Sequence, residues 1–346
     1  MSFLTGLKCS ICDTPFEPEA LYVCNQCLGP LEVTYDRDGQ RAAITREIIE
    51  KRAPSLWRYR ELLPTQGEPR TGFDSGFTPL VRARNLEHEL GVEELYIKDD
   101  SVNHPTLSYK DRVVPVAPTR AIELGFSVFA CASTGNLANS VAAHAARLGL
   151  ECYVFIPRSL EPGKVLGSAI SAPHVIAIDG NYDDVNRLCT QVGDRYGWGF
   201  ANINLRAYYA EGAKTYGFEI VEQLGWRFPR HLVCPVAGGT LLPRIGRGFD
   251  ELNTVGLMDS EPPSIHAAQA EGCAPVITAL RSGAEHPEPV KPDTIAKSIA
   301  IGNPADGFHV LDTIRRSGGS GDTASDEEIL DAIQLLARTE GIFTEP

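Results

Sequence analysis

From Gly76 onward, short apolar runs alternate with segments of helical periodicity, and this alternation narrows the possible architectures more than any other feature. ELYIKD, SVFACAS, ECYVFIP, HVIAID, HLVCPV and SIHAAQA read as strands, and helical patterns fall near residues 111–124, from Asn136 to Leu148 and from Asp183 to Tyr196. Strands separated by helices form parallel sheets wound on both faces, so the expected fold class is α/β, in three-layer αβα form. With 346 residues, 43% hydrophobic and 22% charged, the chain has material for two such domains and an appendage.

The appendage is N-terminal. Cys9-Ser-Ile-Cys12 and Cys24-Asn-Gln-Cys27 form two C-x2-C knuckles, whose tight turns present four thiolates to one zinc ion. Two disulfides or four unrelated buried thiols are the alternatives, and both fit a cytosolic chain poorly. A module this short cannot bury enough apolar surface by itself, so a metal would supply its stability. Because all four positions are cysteine, no coordination site is left open for catalysis. Cys131, Cys152, Cys189, Cys234 and Cys273 are scattered and read as structural.

Charge excludes several classes of partner. Residues 1–35 carry Lys8 against Asp13, Glu17, Glu19 and Glu32, and the whole chain has a net charge of −13, so no basic stripe invites nucleic acid or anionic lipid. No run of eighteen apolar residues is present and MSFLTGLKCS lacks the pattern of a signal peptide, from which a cytoplasmic location and no membrane partner are expected. Residues 36–75 read as a polar connecting arm with a short helix in TREIIEKRA, and RRSGGSGD reads as a loop feeding a helix capped by Ser325 and Glu328.

Three motifs carry the chemistry. Asn103-His-Pro-Thr-Leu-Ser-Tyr-Lys110-Asp-Arg112 places a lysine at a loop-to-helix junction; alone, such a lysine is an ordinary surface residue. Ala132-Ser133-Thr134-Gly135-Asn136 ends a strand and opens a helix, pointing hydroxyls and unpaired amides at a carboxylate, though a plain helix cap looks the same. Val236-Ala237-Gly238-Gly239-Thr240 repeats that geometry as a backbone nest for phosphate, with a steric glycine turn as its alternative reading.

In this order the three motifs resemble the fold-type II pyridoxal phosphate (PLP) enzymes, and the whole set is most similar to the threonine synthase family. GFTPL, NHPTLSYKDR, ANINLRAYYAEGAKTYGFEI, KSIAIGNPADG and GIFTEP all look like segments of that family, over essentially residues 76–346. Some of its members also carry an N-terminal zinc ribbon. The resemblance implies a ribbon at 1–35, a large PLP domain from 76–117 and 206–346, and a small inserted α/β domain at 118–205. It implies that Lys110 carries PLP as a Schiff base and that Asn136 holds the cofactor's phenolic oxygen. The loop Val236, Ala237, Gly238, Gly239 and Thr240 would bind its phosphate, and Ser133 and Thr134 the carboxylate of an amino-acid substrate. Lys164, Asn204, Arg206 and Lys214 are candidates for the substrate phosphate, each with a surface charge or a helix pairing as the alternative.

The implied reaction turns O-phospho-L-homoserine and water into L-threonine and phosphate in a homodimeric enzyme. Dehydration of threonine or serine, β-replacement, and a catalytically degenerate zinc-ribbon interaction protein are the competing readings. The sequence departs from the family pattern in places. Leu107 and Tyr109 stand where glycine and phenylalanine are expected, and Ala237 where a third glycine often lies. Pro115 and Pro118 should make the helix after Lys110 start late, kink or distort. The family also places a further segment after GIFTEP, with a hydroxyl opposite the pyridine nitrogen, so the large domain is expected to be incomplete at its C-terminal end.

Overall fold

The computed structural model describes every residue except 1, 134, 159–161, 172 and 181, and the side chains of 162–164, 182 and 183. The chain forms two compact units, Met1–Phe77 with Val102–Thr215, and Thr78–Ser101 with Tyr216–Pro346. Both are α/β, with parallel sheets.

The first unit begins with an antiparallel sheet in the order β2-β1-β3, formed by β1 (Leu4–Cys9), β2 (Pro15–Phe16) and β3 (Leu31–Tyr35). Leu31, Val33 and Tyr35 alternate inward and are buried, the period expected of a strand covered on one face. Helices α1 (Arg37–Ala43) and α2 (Arg46–Glu50) follow, then a 3-10 segment at Leu56–Leu62. Within the segment read as a polar arm, residues 55–65 are therefore buried except Arg60. Leu56, Trp57 and Leu63 pack with Val116, and the Arg52 guanidinium is neutralised by two 2.6 Å bonds to the Glu61 carboxylate.

The unit's main sheet is parallel in the order β8-β7-β6-β9, formed by β6 (Val128–Ala132), β7 (Glu151–Pro157), β8 (His174–Ile178) and β9 (Gly199–Phe200). Helices α6 (Asn136–Leu148) and α7 (Pro162–Ala169) pack against each other on one face. The chain then doubles back, so α8 (Tyr182–Tyr196) covers the other, completing three layers. Ala130, Ala132, Phe155, Val185, Cys189 and Phe200 form the core under α8.

Helices α4 (Lys110–Val113), α5 (Val116–Glu123) and α9 (Arg206–Glu211) belong to this unit, so its limits fall at 101/102 and 215/216 rather than 117/118 and 205/206. Packing explains the difference: α9 lies against both β3 and α5, while α4 lies against α6. The two prolines split the expected helix. Pro115 caps α5, and Pro118 falls in its first turn, where no intrahelical partner needs an N–H.

The second unit holds a two-stranded antiparallel pair, β4 (Leu80–Arg82) and β5 (Tyr96–Lys98), and a parallel sheet β10-β11-β12. Its strands are β10 (His231–Pro235), β11 (Ser264–Ala270) and β12 (Gly321–Ala324). β12 corrects the reading of RRSGGSGD as loop only, since its Gly and Asp carry no strand signal and backbone pairing to β11 decides its state. Helices α3 (Arg84–Leu90), α10 (Lys214–Gln223), α11 (Leu241–Thr254), α12 (Pro275–Ser282), α13 (Gly307–Arg316) and α14 (Asp326–Glu340) accompany these strands, α10 starting in the first unit. The capping box of Ser325 and Glu328 is formed as expected.

Within this unit, buried Lys98 ties the β4–β5 pair to α10. Its amine donates to Thr78 O at 2.6 Å and Gln223 Oε1 at 2.8 Å, and pairs with fully buried Glu219 at 2.7 Å. Lys98→Met removes a cation from that buried carboxylate and should cost about 3–5 kcal/mol, whereas Lys98→Met with Glu219→Leu should recover most of the loss. Thermal unfolding of the two variants checks this; equal losses would contradict it.

Candidate active site

Lys110 opens α4 at the end of the loop 103–109, and side-chain bonds hold that loop in shape. Asn103 spans it, its Nδ2 donating to Ser108 O at 2.9 Å and its Oδ1 accepting from Gly76 N at 2.9 Å. Asp111, fully buried, accepts from Thr106 N at 2.8 Å, Thr106 Oγ1 at 2.9 Å and Ser140 Oγ at 2.6 Å. His144 Nε2 lies 3.5 Å from the same carboxylate, and His144 Nδ1 is bonded to Thr71 Oγ1 at 2.8 Å. Ser140 and His144 lie on α6, so Asp111 fastens the lysine loop to the helix that Asn136 begins. Leu107 has φ 59°, the left-handed region glycine favours, so the backbone keeps the conformation while the residue departs from it.

The Lys110 side chain is half-buried. Its Nζ donates to Tyr109 Oη at 3.0 Å and to Tyr209 Oη at 3.1 Å, and sits 4.4 Å from the centre of the Tyr109 ring. Burial disfavours the charged amine, but the two phenols outweigh it and hold Lys110 above its ordinary value. Burial pushes the Tyr209 hydroxyl up in turn, so it stays neutral across the physiological range.

At the second motif, buried Ser133 lies directly after β6, where Asn202 bonds both Ala132 N and Ala132 O at 3.2 and 3.1 Å. Helix α6 begins at Asn136 behind Gly135, which has no side chain with which to cap it. Thr134 and the side chain of Lys164 lie outside the described residues. The third motif lies in the second unit and leads into α11, again without a side-chain cap bond. Gly239 has φ +93°, and a Cβ there would meet Asp306 at 3.0 Å; a Cβ on Gly238 would meet nothing within 4 Å, so the nest is open beside it. Thr240 Oγ1 donates to Asp306 Oδ2 at 3.0 Å. A helix start without a side-chain cap and the open space beside Gly238 fit a phosphate group.

Two residues considered for the substrate phosphate are committed elsewhere. Asn204 closes a turn, its Oδ1 accepting from Phe200 N at 2.7 Å and its Nδ2 donating to Trp198 O at 2.9 Å. Lys214 is fully buried, paired with Glu211 at 2.5 Å, bonded to Leu62 O at 3.1 Å and seated over the Tyr35 ring. An amine so enclosed cannot meet an anion from solvent. Arg206 is half-buried at the start of α9. The contacts of Tyr209 and Asn202 went unread because a tyrosine in a helix and an asparagine in a turn carry no motif of their own.

The four N-terminal cysteines do converge. Their sulfurs lie within 4.8 Å of one another, with 3.4 Å between Cys9 and Cys27 and 3.6 Å between Cys12 and Cys24. No disulfide joins them, and a tetrahedron of about 2.3 Å metal–sulfur bonds requires similar spacings. The ribbon they close rests on α9: Tyr35 Oη donates to Glu211 at 2.7 Å and Tyr208 Oη to Glu19 O at 2.8 Å.

Residues 73–346 match the family described as pyridoxal-phosphate dependent enzyme. The chain is 40% identical over 343 residues to the threonine synthase of Methanocaldococcus jannaschii, covering 98% of this chain and 84% of that protein. It is 38% identical over 347 residues to the threonine synthase of Methanosarcina acetivorans, covering 98% and 83%. Among solved structures it is similar to a fungal L-serine ammonia-lyase from Rhizomucor miehei, with a TM-score of 0.66 over 79% of this chain and 83% of that one at 22% identity, a likeness of fold. The chain therefore belongs to the pyridoxal-phosphate dependent enzymes of fold-type II, in the group that contains these threonine synthases.

Proposed function

We propose that this protein converts O-phospho-L-homoserine and water into L-threonine and phosphate, using PLP. The observation that carries the reading is the identity of 40% with a threonine synthase over a match that spans 98% of this chain. Bound PLP would supply an electron sink that acidifies the protons next to the amino-acid nitrogen.

The chain's own residues would supply the rest. Lys110 is the anchoring lysine and the base and acid that carries protons between substrate carbons. Asn136 would hold the cofactor's phenolic oxygen. Gly238, Gly239 and Thr240, with the backbone of Val236 and Ala237, would hold its phosphate. Ser133, Thr134 and the first turn of α6 would bind the substrate carboxylate, which a net charge of −13 obliges local donors to do. Arg206 remains the described cation proposed for the substrate phosphate.

Zinc in the Cys9, Cys12, Cys24 and Cys27 cluster would be structural, because four thiolates complete its coordination. Its role would be to hold the β1–β3 sheet under α9. No described helix is long and apolar enough to cross a membrane.

Incubation with PLP and O-phosphohomoserine should release phosphate and threonine in equal amounts from the wild type, and neither from Lys110→Ala. Keto acid from threonine, with no threonine formed, would replace this reading with a dehydratase. Elemental analysis should find one zinc per chain, lost in Cys24→Ser together with thermal stability. Absence of metal after refolding with zinc would remove the ribbon assignment.

A further inference from the structure

The proposed reaction asks one lysine to take up and return protons at more than one carbon, so the direction of each return has to be controlled. An ammonium group has three N–H donors. In Lys110 two of them are taken, by Tyr109 Oη at 3.0 Å and Tyr209 Oη at 3.1 Å, and among the described residues no third acceptor bonds Nζ. The two phenols come from different elements, Tyr109 from the lysine's own loop and Tyr209 from α9. α9 is held from its far side through the Tyr35–Glu211 and Tyr208–Glu19 bonds, so the Tyr209 hydroxyl is a fixed point.

We propose that the hydroxyls of Tyr109 and Tyr209 are catalytic groups that cradle the Lys110 amine at two points, leaving its ammonium one N–H with which to return a proton in a single direction. This rests on the reading of Lys110 as the reaction's acid and base. The phenols themselves neither gain nor lose a proton: each accepts a hydrogen bond when Lys110 has taken a proton from a substrate carbon, and the same nitrogen delivers that proton to the next carbon. Burial keeps Tyr209 in the neutral form this requires.

The test compares wild type with Tyr109→Phe and Tyr209→Phe, each on the full chain. Competitive acetylation of Lys110 without added cofactor, read by mass spectrometry across pH, reports when the amine loses its proton. Each variant should shift that midpoint down by about one pH unit, the size of one lost hydrogen bond to a charged group. In the PLP-loaded enzyme, kcat should fall about tenfold with KM nearly unchanged, since the contact is to a reacting atom and not to substrate. Midpoints unchanged in both variants, or kcat unchanged in both, would overturn the cradle. Should one variant fail to fold, the other tests it alone, because the tyrosines sit on separate elements. A shifted midpoint in an enzyme whose wild type forms no threonine would uphold the cradle and defeat the reaction reading.

Discussion

The buried carboxylate of Asp111 is the constraint on which the rest of the first unit depends. It receives the backbone and hydroxyl of Thr106 from the lysine loop and the hydroxyl of Ser140, 29 positions further along the chain, from α6, so one side chain ties two motifs together. A buried carboxylate is tolerated only when its lone pairs are occupied, and here three hydrogen bonds from Thr106 and Ser140 do so. Hydrogen bonds to a charged group are worth more than neutral ones, about 1.5–3 kcal/mol each, which suits a loop that must hold a reactive amine steady. The left-handed Leu107 shows that this loop keeps its shape against local preference.

A second constraint reaches the same lysine from the N-terminus. Helix α9 is six residues long and would not be stable alone. Its buried face meets β3 and α5, and its Glu211 joins Tyr35 and Lys214 in a buried cluster. The N-terminal module is thus in contact with the helix that carries Tyr209.

Much of this was legible in the sequence because it follows from period and punctuation. The helix from Asn136 to Leu148 and the strand Glu151–Pro157 coincide with their expected spans, since each is a clean periodic run ended by a glycine or a turn. Pro115 and Pro118 announced a broken helix, and the break is there. The cysteine spacing announced a four-sulfur cluster. What escaped was decided by packing between distant segments. Residues 36–75 look polar because their arginines and glutamates are visible in the sequence while their mutual neutralisation is not. Lys214 looked like an anion site for the same reason: burial and pairing with Glu211 are tertiary facts. The strand at Gly321–Ala324 has no propensity to reveal it and exists through its pairing with β11.

Lys110 as the lysine that anchors the cofactor is the assignment from which the proposed chemistry follows. Borohydride reduction of the PLP-loaded protein, followed by digestion and mass spectrometry, tests it directly. A single modified lysine is expected, carried on the peptide that contains Tyr109, Lys110 and Asp111. Modification at another lysine, or at none, would contradict the assignment.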